Sequence, residues 1–433
     1  MYPPPMRHPA LILSLTWLPP CLGPPAEPEP EPPPAPPSVP APPPPPTWPH
    51  DPGATWPVGC LMDNAATHPT EPWLALSCTN SDANLGAILV VDLTTATLRA
   101  TTVLDDYVGW PTEGVLRWHP KGHELAANVG TNGIMVVEAG KVLGRAFPDE
   151  TRDHPVVFVW VDDHLFADTG VLFRIRAGDP DRFDLVPLPS PPLQTLSWNQ
   201  SIGAAVGRVG TGLAAFDPRL AQTRWTNDLA NHPPGRVSCS ADGRHCVSRQ
   251  TGLMGDPDAL VFVDGDTGRT AGRSVPHRPQ LRDLRWGPGG GLLTTSYRHV
   301  IGGPPAENTL ELFRDGQSAW VHPLGAQQVR GSPDVVDATG LAWSPDGQGV
   351  LVLLDTQEVQ LFDARDGTPG VRFHAPAKPP PDGVPSWYRR DRVLPGGVLW
   401  PTSDRIVRLS QHDLTVHDVS GAVIGRLTMP TTR

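Results

Sequence analysis

Few residues in this sequence have the types and spacing to do chemistry. His119 and His123 flank the reversal W-H-P-K-G-H-E and could chelate a metal across it, although exposed turn histidines are the commoner product of such a pattern. G-H-E-L-A-A, from Gly122, is half of a zinc-protease motif: it reads as a strand and lacks the second His at helical spacing. D-G-D-T-G-R, from Asp264, opens a calcium-loop ligand series that breaks after Asp266 with no closing Glu, so it reads as a hairpin turn. Trp387, Tyr388, Arg389 and Arg390 put two aromatics and two guanidiniums in a Pro-rich segment, a composition enriched at interaction hot spots. They are the candidate binding residues; the competing reading folds the two aromatics back as a plug between the last two units. The chain has no G-x-S-x-G elbow, H-E-x-x-H, P-loop or G-x-G-x-x-G opening a helix. No catalytic residue, metal or cofactor is therefore predicted.

The cysteines bear on the compartment. Cys239 and Cys246 bracket the turn S-A-D-G-R-H between two short apolar runs, and Cys60 and Cys78 flank a longer turn. Disulfides Cys239–Cys246 and Cys60–Cys78 are expected, each stapling a hairpin in an oxidising compartment, with four free thiols as the alternative. The fifth, Cys21, follows Arg7, His8 and the apolar run Ala10 to Leu18. That order resembles a bacterial secretory signal with a lipoprotein lipobox, which implies lipidation at Cys21. Proline at both preceding positions departs from the small residues usual there. The expected organisation is a leader over 1–22, a disordered Pro-rich linker over 23–56 acting as a polyproline II spacer, and a folded region over 57–433.

The folded region is a repeat. V-L-R-W-H-P-K-G-H-E-L-A-A, F-V-W-V-D-D-H-L-F-A, L-S-W-N-Q-S-I-G-A-A-V, V-S-C-S-A-D-G-R-H-C-V, L-R-W-G-P-G-G-G-L-L-T and L-A-W-S-P-D-G-Q-G-V-L-V share one frame. Trp118, Trp160, Trp198, Cys239, Trp286 and Trp343 are then equivalent, with Trp400 a seventh. Each precedes a turn rich in Pro, Asp or Gly and a further apolar run. A second mark follows at Asp92, Glu138, Asp217, Asp264, Asp363 and Asp418, before another short turn. Each unit reads strand, turn, strand, loop, strand, turn, strand. Units of roughly 40 to 57 residues built this way are propeller blades.

These units resemble the WD-repeat and TolB-like β-propeller families, whose blades carry W/F-S-P-D-G turns and an aspartate near the end of the third strand. The resemblance spans about residue 57 to the C-terminus and is tightest over Leu341 to Asp363. The Gly-His and Trp-Asp dipeptides of strict WD repeats are absent. The expected fold is all-β, a propeller of four-stranded antiparallel blades, with eight blades favoured and seven plus an N-terminal closing strand as the alternative. The units start near Cys60, Gly114, Pro155, Gln194, Gly235, Leu281, Thr339 and Arg392; the first lacks a clear inner strand.

Length variation falls on one class of connection, at Ser81 to Gly86, Gly252 to Asp258, Ile301 to Asn308, Gly325 to Asp337 and Ala375 to Asp391. Loops on a rigid scaffold carry function, so that face is the expected binding surface. A net charge of -11 offers no basic stripe for phosphates and argues against nucleic acid as a partner. The expectation is an extracytoplasmic, monomeric, non-enzymatic scaffold for a protein or glycan partner, touching a membrane only through an N-terminal lipid. The alternative is a lactonase-like or quinoprotein-like propeller enzyme. Such an enzyme needs an acidic metal cage or a tryptophan platform, whereas tryptophans at a repeat-equivalent position suit core packing.

Overall fold

The computed structural model describes residues 53–80, 85–104, 116–129, 134–138, 141–146, 158–161, 164–167, 171–175, 183–187, 194–199, 201–229, 237–250, 258–276, 280–297, 308–324, 326–329, 332–335, 338–354, 356–375, 397–410 and 413–428. They form strands joined by turns. Eight four-stranded antiparallel sheets occupy 61–104, 116–146, 158–187, 194–228, 237–274, 280–323, 338–374 and 398–428, called sheets 1 to 8 below. Within each sheet the strands pair in chain order. First strands of successive sheets lie against one another, so the first strand of each sheet is the innermost.

Apolar packing closes these sheets into a ring. A four-stranded sheet of this composition exposes two greasy faces, and only neighbours on both sides can cover them. Hydrophobic clusters fill the seams in order: Trp73, Ile88, Trp118 and Met135 join sheet 1 to sheet 2, and Phe158, Trp160 and Val136 join sheet 2 to sheet 3. The seam that completes the circle joins Val407, Leu409, Leu414 and Val416 of sheet 8 to Met62, Leu74, Leu76 and Leu89 of sheet 1.

Local chemistry explains the two recurring marks. In L-A-W-S-P-D-G-Q-G, the Ser344 hydroxyl donates to the Asp346 carboxylate (2.6 Å) and accepts the Gly349 N–H (2.7 Å), while Asp346 also accepts the Gln348 N–H (3.0 Å). Gly347 adopts the positive φ of 70° that finishes the turn. Ser240 and Asp242 repeat the arrangement in sheet 5 (2.7 Å between side chains). The aspartates that end third strands cap the next turn: Asp92, Asp217, Asp363 and Asp418 accept the N–H two residues on at 2.8–3.0 Å, and Asp264 accepts that of Thr267 at 2.8 Å.

Two expectations about the architecture need correction. A ring made only of four-stranded blades is too simple, because the connection 325–337 carries its own two-stranded sheet, Ala326–Val329 paired with Ser332–Val335. The sequence there predicts plain loop, since its polar residues carry no apolar alternation. The first unit, expected to lack a clear inner strand, has one in Leu61–Thr67. A β-bulge between Met62 and Asn64 shifts the alternation there and hides the strand from a period-two reading.

Candidate functional site

Tryptophans at the repeat position rivet the inner wall. The indole N–H of Trp118 donates to the Ala66 carbonyl (2.9 Å), Trp160 to Arg117 (2.9 Å), Trp286 to Ser238 (3.1 Å) and Trp343 to Arg285 (3.1 Å), each reaching the preceding sheet's first strand. Their rings lie over the neighbouring turn; a Cβ on Gly287 would sit 2.5 Å from the Trp343 ring. Trp118 and Trp160 are buried, whereas Trp198, Trp286, Trp343 and Trp400 are half-buried and pack against the seam clusters. Each occupies a seam, not an open platform.

The histidines of the turn end are packed. His119 meets the Trp160 ring edge-on at 4.8 Å and accepts the Lys121 N–H at Nδ1 (3.2 Å); His123 lies against Trp73 (5.2 Å) and His68 (5.6 Å). His119 and His123 are thus drawn to different seams. Among the described residues no three His, Cys, Asp or Glu side chains gather as a metal site. His68, which no sequence pattern singles out, is buried between Trp73 and Trp118, its Nδ1 accepting the N–H groups of Thr70 (3.2 Å) and Glu71 (3.0 Å). Burial, then the charge of His123, holds it down at about 4.

At the opposite end, second strands pass to third strands and each sheet passes to the next. Connections there run to 298–308, 324–337 and 375–397, whereas at the turn end the longest are 119–124 and 176–182. The rim beneath the long connections is latched: Asp258, buried, accepts from the Arg249 guanidinium (2.9 Å) and from the Leu281 N–H (2.8 Å), tying sheet 5 to sheet 6. Trp387, Tyr388, Arg389 and Arg390 lie outside the described residues, as does Cys21. Both disulfides are present: Cys60–Cys78 joins the segment before sheet 1 to its second strand, and Cys239–Cys246 sits across the first hairpin of sheet 5.

On the innermost strands, the residue preceding the repeat position lies on the face opposite the tryptophan, and Val159 and Ala342 are buried there in seams between sheets. In Leu116–Trp118 the outer two residues are buried in the seam to sheet 1 and Arg117 between them is exposed. Arg285 holds the equivalent place in sheet 6, half-buried, its Nε 3.6 Å from the Asp283 carboxylate. Val159, Ser197, Ser238, Ala342 and Leu399 precede the repeat position in other sheets. Burial of its charge, then repulsion from Arg285, lowers the Arg117 pKa from its ordinary value. Asp63, on the bulge of the first strand of sheet 1, is pushed up by burial to about 7 despite a hydrogen bond with Thr79. The arginines are legible as R-W in two units, where the dipeptide marks them only as neighbours of the tryptophan; Asp63 has no signal short of the bulge.

No family model and no curated protein matches the chain. Solved structures do match. The Dos1 propeller aligns with a TM-score of 0.62 at 12% identity, over 89% of this chain and 98% of that one. Hydrazine synthase of Kuenenia stuttgartiensis aligns at 0.49 and 12% identity, over 85% and 97%. The Swd1 β-propeller domain of Myceliophteria thermophila aligns at 0.45 and 13%, over 88% and 99%. At these identities the likeness to the Dos1 propeller is one of fold alone: the chain is a β-propeller.

Proposed function

We propose that this protein is a non-enzymatic binding scaffold that works outside the cytoplasm and presents the long-loop end of its propeller to a protein or glycan. The observation that carries this reading is the asymmetry between the ends: length is concentrated in connections such as 298–308 and 375–397, while the other end is capped by short hydrogen-bonded turns. Trp387, Tyr388, Arg389 and Arg390 are the proposed contact residues within the longest connection. Two disulfides favour an oxidising compartment. Acylation at Cys21 would tether the propeller, with the proline tract holding it on the order of 90 Å from the membrane at about 3.1 Å per residue.

The test is affinity capture from extracytoplasmic extract with residues 57–433, followed by Trp387→Ala and Arg389→Ala together. A specific partner lost from the double variant, at an unchanged melting temperature, is the expected result. A strong fall in melting temperature with the partner still bound would assign these residues to packing. Lactone hydrolysis or sugar oxidation by the purified protein would replace the scaffold reading with the enzymatic one.

A further inference from the structure

We propose that the Cys239–Cys246 disulfide is a thiol-exchange site: a small-molecule thiol, as its thiolate, attacks the Cys239 sulfur, and Cys246 leaves into the seam between sheets 4 and 5. Cys239 holds the repeat position of sheet 5, where Trp118, Trp160, Trp286 and Trp343 rivet other seams. A reactive bond thus replaces an inert indole at one place in the ring. The two sulfurs differ in access. Cys246 is fully buried, whereas Cys239 is half-buried and only partly covered by the seam cluster. Access decides which sulfur of a disulfide is attacked, so Cys239 is the entry point and Cys246 the leaving group. A sulfur with so little surface in solvent admits a small thiol.

Two further features suit the exchange. The buried Asn199 side chain turns its Nδ2 to the Cys246 sulfur (3.9 Å), besides the carbonyls of Gly243 (2.9 Å) and Gly265 (3.1 Å). An N–H there meets the charge that builds on the departing sulfur and offsets the cost of a thiolate in apolar surroundings. The hairpin also has its own hydrogen bonds. Cys239 and Cys246 are direct partners in the strand register, the Ser240 N–H donates to the His245 carbonyl (2.8 Å), and the Cys239 N–H donates to the Ser197 hydroxyl across the seam (2.9 Å). Opening the cross-link therefore leaves the two sulfurs opposite one another, ready to close again. Cys60–Cys78 offers no such entry, since both of its cysteines are buried in the closing seam. In the step itself, the old S–S bond breaks as the bond from the thiol sulfur to Cys239 forms; Cys246 keeps the bonding pair as a thiolate and then takes a proton from water. No oxidant is consumed. The site lies at the turn end and is independent of the loop-end partner surface.

The test treats the full-length Cys246→Ser chain with oxidised glutathione under native conditions, quenches in acid and maps the peptides by mass spectrometry. One glutathione on Cys239 is the expected result, and Cys246 in the Cys239→Ser chain should stay free. In wild type, reduced glutathione should open Cys239–Cys246, recovered as two thiols or as a Cys239–glutathione adduct, while Cys60–Cys78 stays intact and the far-ultraviolet circular dichroism is unchanged. Asn199→Ala should slow the wild-type exchange about three-fold or more, whereas mere loosening of the seam would speed it. An unmodified Cys239, equal labelling of Cys246, or opening of both disulfides together as the chain unfolds overturns the proposal, and an Asn199→Ala chain that exchanges as fast as wild type overturns the part given to Asn199. Should the serine variants fail to fold, the wild-type reaction decides: selective opening of Cys239–Cys246 in the folded chain supports the site, and its absence removes it.

Discussion

Asp63 and His68 titrate in opposite directions within one sheet. Burial raises Asp63 to about 7 against an ordinary value of 3.8, and its Oδ2 is buried with no hydrogen-bond partner among the described residues. Between those values the folded chain keeps a proton that the unfolded chain releases. The stabilisation is whole below pH 3.8 and is lost as pH rises through 7, a difference of at most about 4 kcal/mol. Asp63→Asn should therefore melt higher than wild type at pH 8 and close to it at pH 4 in differential scanning calorimetry. His68 works the other way: lowered to about 4 from 6.5, it takes up a proton more readily unfolded than folded. Its share of stability is complete above pH 6.5 and disappears as pH falls through 4. In His68→Gln, the loss of melting temperature between pH 6.5 and pH 4 should be smaller than in wild type.

At the scale of the element, the seam between sheets depends on an indole and the small residue beneath it. Trp343 donates to the Arg285 carbonyl at 3.1 Å, and Gly287 lets the ring lie flat on the turn of sheet 6. Trp343→Phe keeps most of the apolar area and loses the hydrogen bond, leaving a carbonyl unpaired, for about 1 to 3 kcal/mol in urea denaturation. Gly287→Ala places a methyl 2.5 Å from ring atoms, and displacing the indole should cost about 1 to 3 kcal/mol. A Gly287→Ala chain as stable as wild type would show that the ring is free to tilt. The turn aspartates are a weaker bond in the same wall. The Arg365 guanidinium and its N–H hold Asp363 down at about 2, but both side chains reach solvent and screening leaves such a pair little net effect.

Over the whole molecule, closure is the cooperative event. The seam of Val407, Leu414 and Val416 against Met62, Leu76 and Leu89 joins residues more than 300 positions apart, so every other seam forms over shorter chain separations. Deleting residues 398–433 should leave sheets 1 and 7 each with a bare apolar face. The truncated protein is expected to aggregate or to unfold over a broad transition, read by circular dichroism and size-exclusion chromatography. The disulfides add local restraint: cross-links spanning 18 and 7 residues restrict the unfolded chain by about 2 to 3 kcal/mol each in the loop-entropy account. Reduction should lower the melting temperature without opening the ring.

Repeat spacing, the W-S-P-D-G turn and the Asp that ends third strands determined the propeller by themselves, because each is a local pattern with a local cause: a strand period, a preset φ, a side chain that caps its own turn. Cys239 and Cys246 could be paired for the same reason, since a short hairpin sets them opposite one another. Tertiary structure alone decided the rest. That the charge of Arg285 reaches Arg117, that Asp63 is withdrawn from water, and that His119 and His123 part to different seams all depend on sheets far apart in the chain meeting around a ring. Burial and charge at those residues belong to neighbours supplied only by closure.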